Sequence, residues 1–312
     1  MAGGAGPTLM ADLVHIVAPS HSGSTLLTLL LAQHPDITTV GEMKANLVGE
    51  VSAYSCSCGN LIADCDFWNT VTERMAERGF DFDITRCSLH FRLPEHRIVD
   101  RLARMDHAGP CFERLREFAL NRSAAWRQHH RHVCDGTAAL IDTVCDLNDA
   151  RVFVDSSKHP VRLRYLRGLS GYPLKAIHLI RDGRGVAHTY ITQRGYAMDH
   201  AAHEWKRGHL SAERALARLE PSSWLRIHYE DLCREPDAVL ARVLEFLALD
   251  PTRRPERWTD HIHHVVGNAI RLNFAGDIRV DDRWRREFDR EQLDAFERRA
   301  GDLNRKYGYP AS

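Results

Sequence analysis

The segment "DLVHIVAPSHSGSTLLTLLLAQHP", residues 12–35, limits what this chain can fold into more than any other stretch. "DLVHIVAP" (12–19) is an apolar run of strand-forming residues. "STLLTLLLAQHP" (24–35) has the length and leucine content of a helix. Glycine, serines and a threonine crowd the junction, as a tight strand-to-helix turn demands. A buried strand feeding a helix this early predicts an α/β fold with a central, mostly parallel sheet flanked by helices.

The rest of the chain keeps that grammar, with one interruption. "ITTV" (37–40), "RVFVD" (151–155), "LKAIHLI" (174–180) and "WLRIHY" (224–229) read as further strands. Helices are expected near 160–168, from about 186, at roughly 201–219 and at 236–250, where apolar residues fall three and four apart. Residues 43–149 lack strand patterning and are rich in Arg, His and Asp. They predict a mainly helical insertion within a single 1–312 domain, suited to shaping an acceptor pocket. In parallel sheets ligands gather beyond the carboxyl ends of the strands, where the first turn falls.

That turn resembles a phosphate-binding loop without its lysine. Against G-x-x-x-x-G-K-[ST], residues 18–25 read A-P-S-H-S-G-S-T. Gly23 and Thr25 match, whereas Ala18 replaces the first glycine and Ser24 the lysine that reaches the β and γ phosphates. A nest of backbone N–H groups at a helix start remains, with the hydroxyls of Ser20, Ser22, Ser24 and Thr25. Such a nest suits a tetrahedral anion, although a hydroxyl that merely caps the helix would leave the same pattern.

"LKAIHLIRDGRGVAHTYI" (174–191) is a second strand–turn–helix with a basic turn. Arg181 at the strand end and Thr189 along the helix can converge on a separate anion, with Arg184 adding to the field. Arginine offers paired donors to phosphate oxygens. The plainer alternative is an Arg181–Asp182 ion pair closing the turn. Two anion-suited turns on neighbouring strands point to a nucleotide phosphorylated at two distinct positions.

Bulk properties narrow the partners. Formal net charge is +0 with 19 neutral histidines, so no general attraction to nucleic acid or anionic membrane is expected. The apolar run "TLLTLLLA" is far short of the roughly 20 residues of a membrane span. The start, "MAGGAGPTLMADL", lacks the basic and apolar regions of a secretion signal, giving a cytoplasmic expectation.

Taken in order, "PSHSGSTLL", "LAQHP", "GE", "VDSSKHPVRLRYL", "IHLIRDGRGVAHTY", "IHYEDLCREP" and "HHVVGNAIR" resemble the sulfotransferase family that uses 3′-phosphoadenosine 5′-phosphosulfate (PAPS). The likeness covers about 18–42, 151–191, 224–248 and 263–285, and is nearer the bacterial and protein-tyrosine or carbohydrate branches than the small-phenol branch. It implies that Ser20, His21, Ser22, Gly23, Ser24 and Thr25 bind the 5′-phosphosulfate, with His21 where the family carries Arg or Lys. It implies that Arg181 and Thr189 hold the 3′-phosphate, Thr189 replacing a serine and Gly183 standing where proline is frequent. Tyr229 resembles a tyrosine near the nucleotide. "GNAIR", ending at Arg271, resembles a late loop that in the family closes over the cofactor; the small-phenol branch's late "RKGxxGxW" is absent, so any lid would come from this different segment.

The implied reaction moves a sulfuryl group to a hydroxyl of a small molecule, glycan or peptide, and requires no metal. Glu42, placed like a glutamate of the protein-tyrosine branch, is the expected general base; a surface ion pair with Lys44 is its plainer role. His21 is expected to stabilise charge, protonated or as a neutral donor, with Lys158 as the substitute cation. His90 and His96 are weaker candidates for the base. A P-loop kinase or phosphotransferase, with Asp155 as its magnesium ligand, is the alternative enzyme; a non-catalytic nucleotide-binding relative is the alternative without chemistry.

Cys56, Cys58 and Cys65, in "CSCGNLIADCDFW", are three potential ligands, or a disulfide and a free thiol. No fourth ligand stands at a standard spacing. The expectation is a structural clip with no metal, and Cys65 is the partner expected in any disulfide.

Overall fold

The computed structural model describes residues 11–43, 54–85, 89–106, 109–253, 264–274 and 276–311. Five strands form one parallel sheet: β1 (Asp12–Val17), β2 (Ile37–Gly41), β3 (Val152–Lys158), β4 (Leu174–Ile180) and β5 (Trp224–His228), in the order β2-β3-β1-β4-β5. The predicted α/β architecture is the one observed. β1 is central because nearly every residue of "DLVHIV" is buried, as a strand covered on both faces requires.

The helices cover both faces. α1 (Ser24–Leu31) returns from β1 with all eight residues buried. The region expected to be a helical insertion carries α2 (Asp66–Glu77), α3 (Arg97–Arg104), α4 (Pro110–Arg122) and α5 (Ala124–Asn148) among its described residues. Then follow α6 (Pro160–Leu166), α7 (Gly183–Arg194), α8 (Met198–Leu216), α9 (Tyr229–Arg234), α10 (Pro236–Phe246), α11 (Ile270–Asn273), α12 (Trp284–Glu287) and α13 (Arg290–Lys306).

Alternation along the strands sorts these helices. Leu13 and Phe153 point into a cluster with Trp68, Met75 and Val144, so α2 and α5 pack directly on the sheet. Val14, Ile16, Val154 and Ile177 point the other way, against Leu27 and Leu30 of α1 and Leu240 and Val243 of α10. A third cluster joins α7, α8 and α13 through Val186, Trp205 and Phe296.

At the sheet edge, Val266 extends β2. Its N–H donates to the Val40 carbonyl over 2.9 Å, and its own carbonyl accepts from the Glu42 N–H over 2.9 Å. Gly41 makes this approach possible: its φ is +79°, and a Cβ there would overlap the Val266 carbonyl.

Candidate active site

Each of the five strands delivers one polar group to the same cleft. β1 runs into the loop bearing His21, and β2 ends beside Glu42. β3 ends at Lys158, β4 runs into Arg181, and β5 runs into Tyr229; all five residues line one cleft of about 920 Å³. This convergence follows from a parallel sheet, whose carboxyl ends all face one side.

The first loop is built by two left-handed residues. His21 has φ 64° and Gly23 has φ 90°, and Gly23 forms the N-cap of α1. A Cβ on Gly23 would overlap the ring of Tyr229, so glycine is required here by both conformation and contact. The turn aims Ser20, Ser24 and Thr25 into the cleft. Ser22 is fully buried and does not line it, and its hydroxyl has no partner.

Glu42 and Lys158 form an ion pair inside the cleft, with side chains 5% and 11% exposed. Lys158 takes φ 66°, the left-handed conformation that turns its side chain out of the strand. Lys44, named as a possible partner for Glu42, lies outside the described residues.

Arg181 anchors the opposite wall. Its guanidinium donates to the His21 carbonyl over 2.8 Å and to Asp281 over 2.9 Å and 3.2 Å, and lies 4.6 Å over the Tyr229 ring. Its Nε has no partner. Thr189 lines the cleft and donates its hydroxyl back to the Gly185 carbonyl over 3.1 Å.

The His21 ring meets Tyr190 edge-on at 4.9 Å, and its Nε2 is buried without a partner. Burial, followed by repulsion from Arg194, Lys158 and Arg181, pushes its pKa down to about 4. The ring is therefore neutral near pH 7 in this structure, not the fixed cation that stands at this position elsewhere in the resembled family.

Several expectations change. Asp182 pairs with Arg184 (2.7 and 2.9 Å) rather than with Arg181, and Arg184 lies 4.2 Å over Trp284, so its charge is spent within the fold. Arg271 does not line the cleft. Its guanidinium donates to the carbonyls of Gly267 (2.6 Å) and Ser55 (2.8 Å), while Gly267, Asn268 and Ile270 face the cleft instead. His90 and His96 are likewise absent from its lining.

Asp155 is no magnesium ligand in this arrangement. It is fully buried, accepts from Arg162 over 2.7 Å and lies 3.3 Å from His15. Despite the cost of burial, its neighbours, the Arg162 guanidinium first, hold its carboxyl well below the ordinary range.

Cys56, Cys58 and Cys65 are free thiols, the reduced one of the two forms open to the expected clip. The sequence also hid their fourth companion: His264 closes a group of four potential metal ligands within 4.8 Å of one another. Sequence reasoning missed Arg194, Arg283 and Arg286 in the cleft as well. The last two sit in "DDRWRRE", whose mixed charges look like an ordinary solvated face.

No helix of the described residues is long and apolar enough to cross a membrane. No curated protein matches the chain. A solved structure titled as the sulfotransferase domain from the curacin biosynthetic pathway is similar at 16% identity and TM-score 0.53, covering 98% of this chain and 100% of that one. The sulfotransferase domain from the Synechococcus PCC 7002 olefin synthase matches at 18% identity and TM-score 0.48, covering 96% and 95%. Residues 14–253 match the family model described as the sulfotransferase family, and that span is most of the chain: this protein belongs to the sulfotransferase family.

Proposed function

We propose that the protein transfers the sulfuryl group of PAPS to a hydroxyl acceptor, using the cleft at the strand ends within a single domain. One observation carries the reading: five strand ends place a hydroxyl-lined anion nest, a carboxylate–ammonium pair and an arginine around one cleft. The partnerless nitrogens in the cleft fit a ligand rich in anionic oxygens, because His21 Nε2 and Arg181 Nε are buried polar atoms that the fold leaves unmatched.

In this reading Ser20 to Thr25 and the N-terminus of α1 hold the 5′-phosphosulfate. Arg181 and Thr189 hold the 3′-phosphate, and Tyr229 packs beside the nucleotide. The donor supplies an activated sulfuryl group, whose bond to phosphate oxygen breaks as the bond to the acceptor oxygen forms. Glu42 takes the acceptor's proton. Lys158, already against Glu42, orients that carboxylate and offers positive charge to the departing phosphate oxygen. His21 adds an N–H donor, and an anion beside it favours its protonated form. The carboxylate base at the end of β2 is the point of likeness to the protein-tyrosine branch.

A hollow of about 460 Å³ shares Ser20 and Lys158 with the cleft and is walled by Arg104, Met105 and Asp106 of the insertion. It supplies the acceptor side of the reading, open to a small molecule, a sugar or a peptide side chain. Calorimetric titration tests the whole: 3′-phosphoadenosine 5′-phosphate should bind at one site far more tightly than ADP with magnesium. Preference for ADP–magnesium would replace this reading with phosphotransfer.

A further inference from the structure

The geometry points to a structural zinc site formed by Cys56, Cys58, Cys65 and His264, which clasps the helical insertion to the segment lying along Glu42. The four ligand atoms come from two segments far apart in the chain, yet all lie within 4.8 Å of one another. Cys65 Sγ is 3.1 Å and Cys56 Sγ 3.6 Å from His264 Nδ1, and Cys58 Sγ is 3.7 Å from Cys65 Sγ. A tetrahedral zinc with ordinary bond lengths places sulfurs about 3.8 Å apart and sulfur and nitrogen about 3.5 Å apart. The cluster already sits near those edges, with its centre available to one ion.

The local chain is shaped for this task. Cys56 and Cys58 occupy a tight turn in which the Cys56 N–H donates to the Asn60 carbonyl (2.8 Å) and Gly59 donates back to the Cys56 carbonyl (3.0 Å). Gly59 takes φ 94°, so the chain reverses directly after Cys58 and both thiols face one side. Cys65 sits at the N-cap of α2. The His264 ring is held flat against Phe67, 4.5 Å away and tilted by 7°, which fixes the direction of Nδ1.

Three soft thiolates and one imidazole in a closed tetrahedron select zinc over hard cations, which prefer oxygen ligands. A disulfide does not explain the arrangement. It would join two of the sulfurs at about 2 Å and leave the third and the histidine ring facing it without a purpose.

The site's consequence lies in the residues just after His264. Val265 donates to Ser57 Oγ over 2.7 Å, Val266 bridges to Val40 and Glu42, and Gly267 borders the Glu42 carboxylate and Thr25. A metal at this cluster therefore fixes the backbone that carries the proposed base, without touching the reacting groups.

The test is metal content of the full chain, purified under reducing conditions without chelator. One zinc per chain is expected. His264→Cys should keep the metal as a four-thiolate site, while His264→Ala and Cys65→Ser should lose it. Cobalt-substituted protein should show thiolate-to-cobalt charge transfer and tetrahedral ligand-field bands. Stripping the metal should speed hydrogen exchange at the Val266 and Glu42 amides. A reduced wild-type chain without zinc, or zinc retained by both losing variants, overturns the site. Unchanged exchange at Val266 and Glu42 after stripping overturns the clasp.

Discussion

Glu42 and Lys158 meet as an ion pair at the carboxyl edge of the sheet, although 116 residues separate them in sequence. β2 and β3 are paired neighbours, with a one-residue register shift between Thr39 and Gly41, so the two strand ends arrive side by side. The left-handed backbone of Lys158 then turns its ammonium toward the carboxylate. Strand pairing brings together the proposed base and the proposed charge stabiliser.

That arrangement separates two roles by mutation. Glu42→Gln should lower the turnover of sulfuryl transfer by about 10²–10⁴ while leaving nucleotide affinity within a few-fold. Lys158→Met should lower turnover and weaken nucleotide binding together. Steady-state rates paired with calorimetry check both, and full turnover in Glu42→Gln removes Glu42 as the base.

His21 links the site to pH. Its pKa of about 4 means that it holds no proton near neutrality before nucleotide is added. An anion bound beside it raises that value, so binding takes up a proton and affinity increases as pH falls from neutrality toward 4. Calorimetry at about pH 6 in buffers of different ionisation enthalpy should show proton uptake, absent in His21→Asn. Equal uptake in both proteins would assign the proton to another group.

Stability should run the opposite way with pH for the buried pair His178 and His209, which lie 3.1 Å apart, nitrogen to nitrogen. Burial pushes His178 down to about 3 and His209 well below its usual value. Histidines held neutral in the fold but free to charge when unfolded contribute stability above about pH 6.5, and that contribution is lost as pH falls below it. Urea unfolding should show the protein less stable at about pH 5 than at about pH 7, by roughly 2 kcal/mol or more.

Asp155 gives a prediction that divides the enzyme readings. Asp155→Ala strands the buried Arg162 and should cost about 3–5 kcal/mol of stability. A magnesium ligand would instead lose metal-dependent nucleotide binding with its fold intact. Denaturant melts of the purified variant distinguish the two.

Much of this was legible because it is local. "LKAIHLI" predicted β4 at the residues observed, and the glycine and hydroxyls of "SHSGST" announced the first turn before any partner was known. Side-chain partnerships were less legible because they depend on distant chain. Arg184 and Arg271 look like anion ligands by position, yet one is absorbed by Asp182 and Trp284 and the other by two carbonyls. Lys158 was visible as a cation after a strand, but its pairing with Glu42 needed the β2–β3 neighbourhood. His264 completes the cysteine cluster across 199 residues, a distance no ligand-spacing rule spans.

The central claim is that Arg181 reads a 3′-phosphate across the cleft from the loop, and a two-by-two affinity measurement tests it most directly. Wild type and Arg181→Ala are titrated with 3′-phosphoadenosine 5′-phosphate and with adenosine 5′-phosphate, which differ only in that group. A charge-assisted contact of about 1.5–3 kcal/mol predicts that wild type prefers the bisphosphate by roughly 10- to 100-fold and that the variant loses most of this preference. A preference that survives intact in Arg181→Ala would contradict the account.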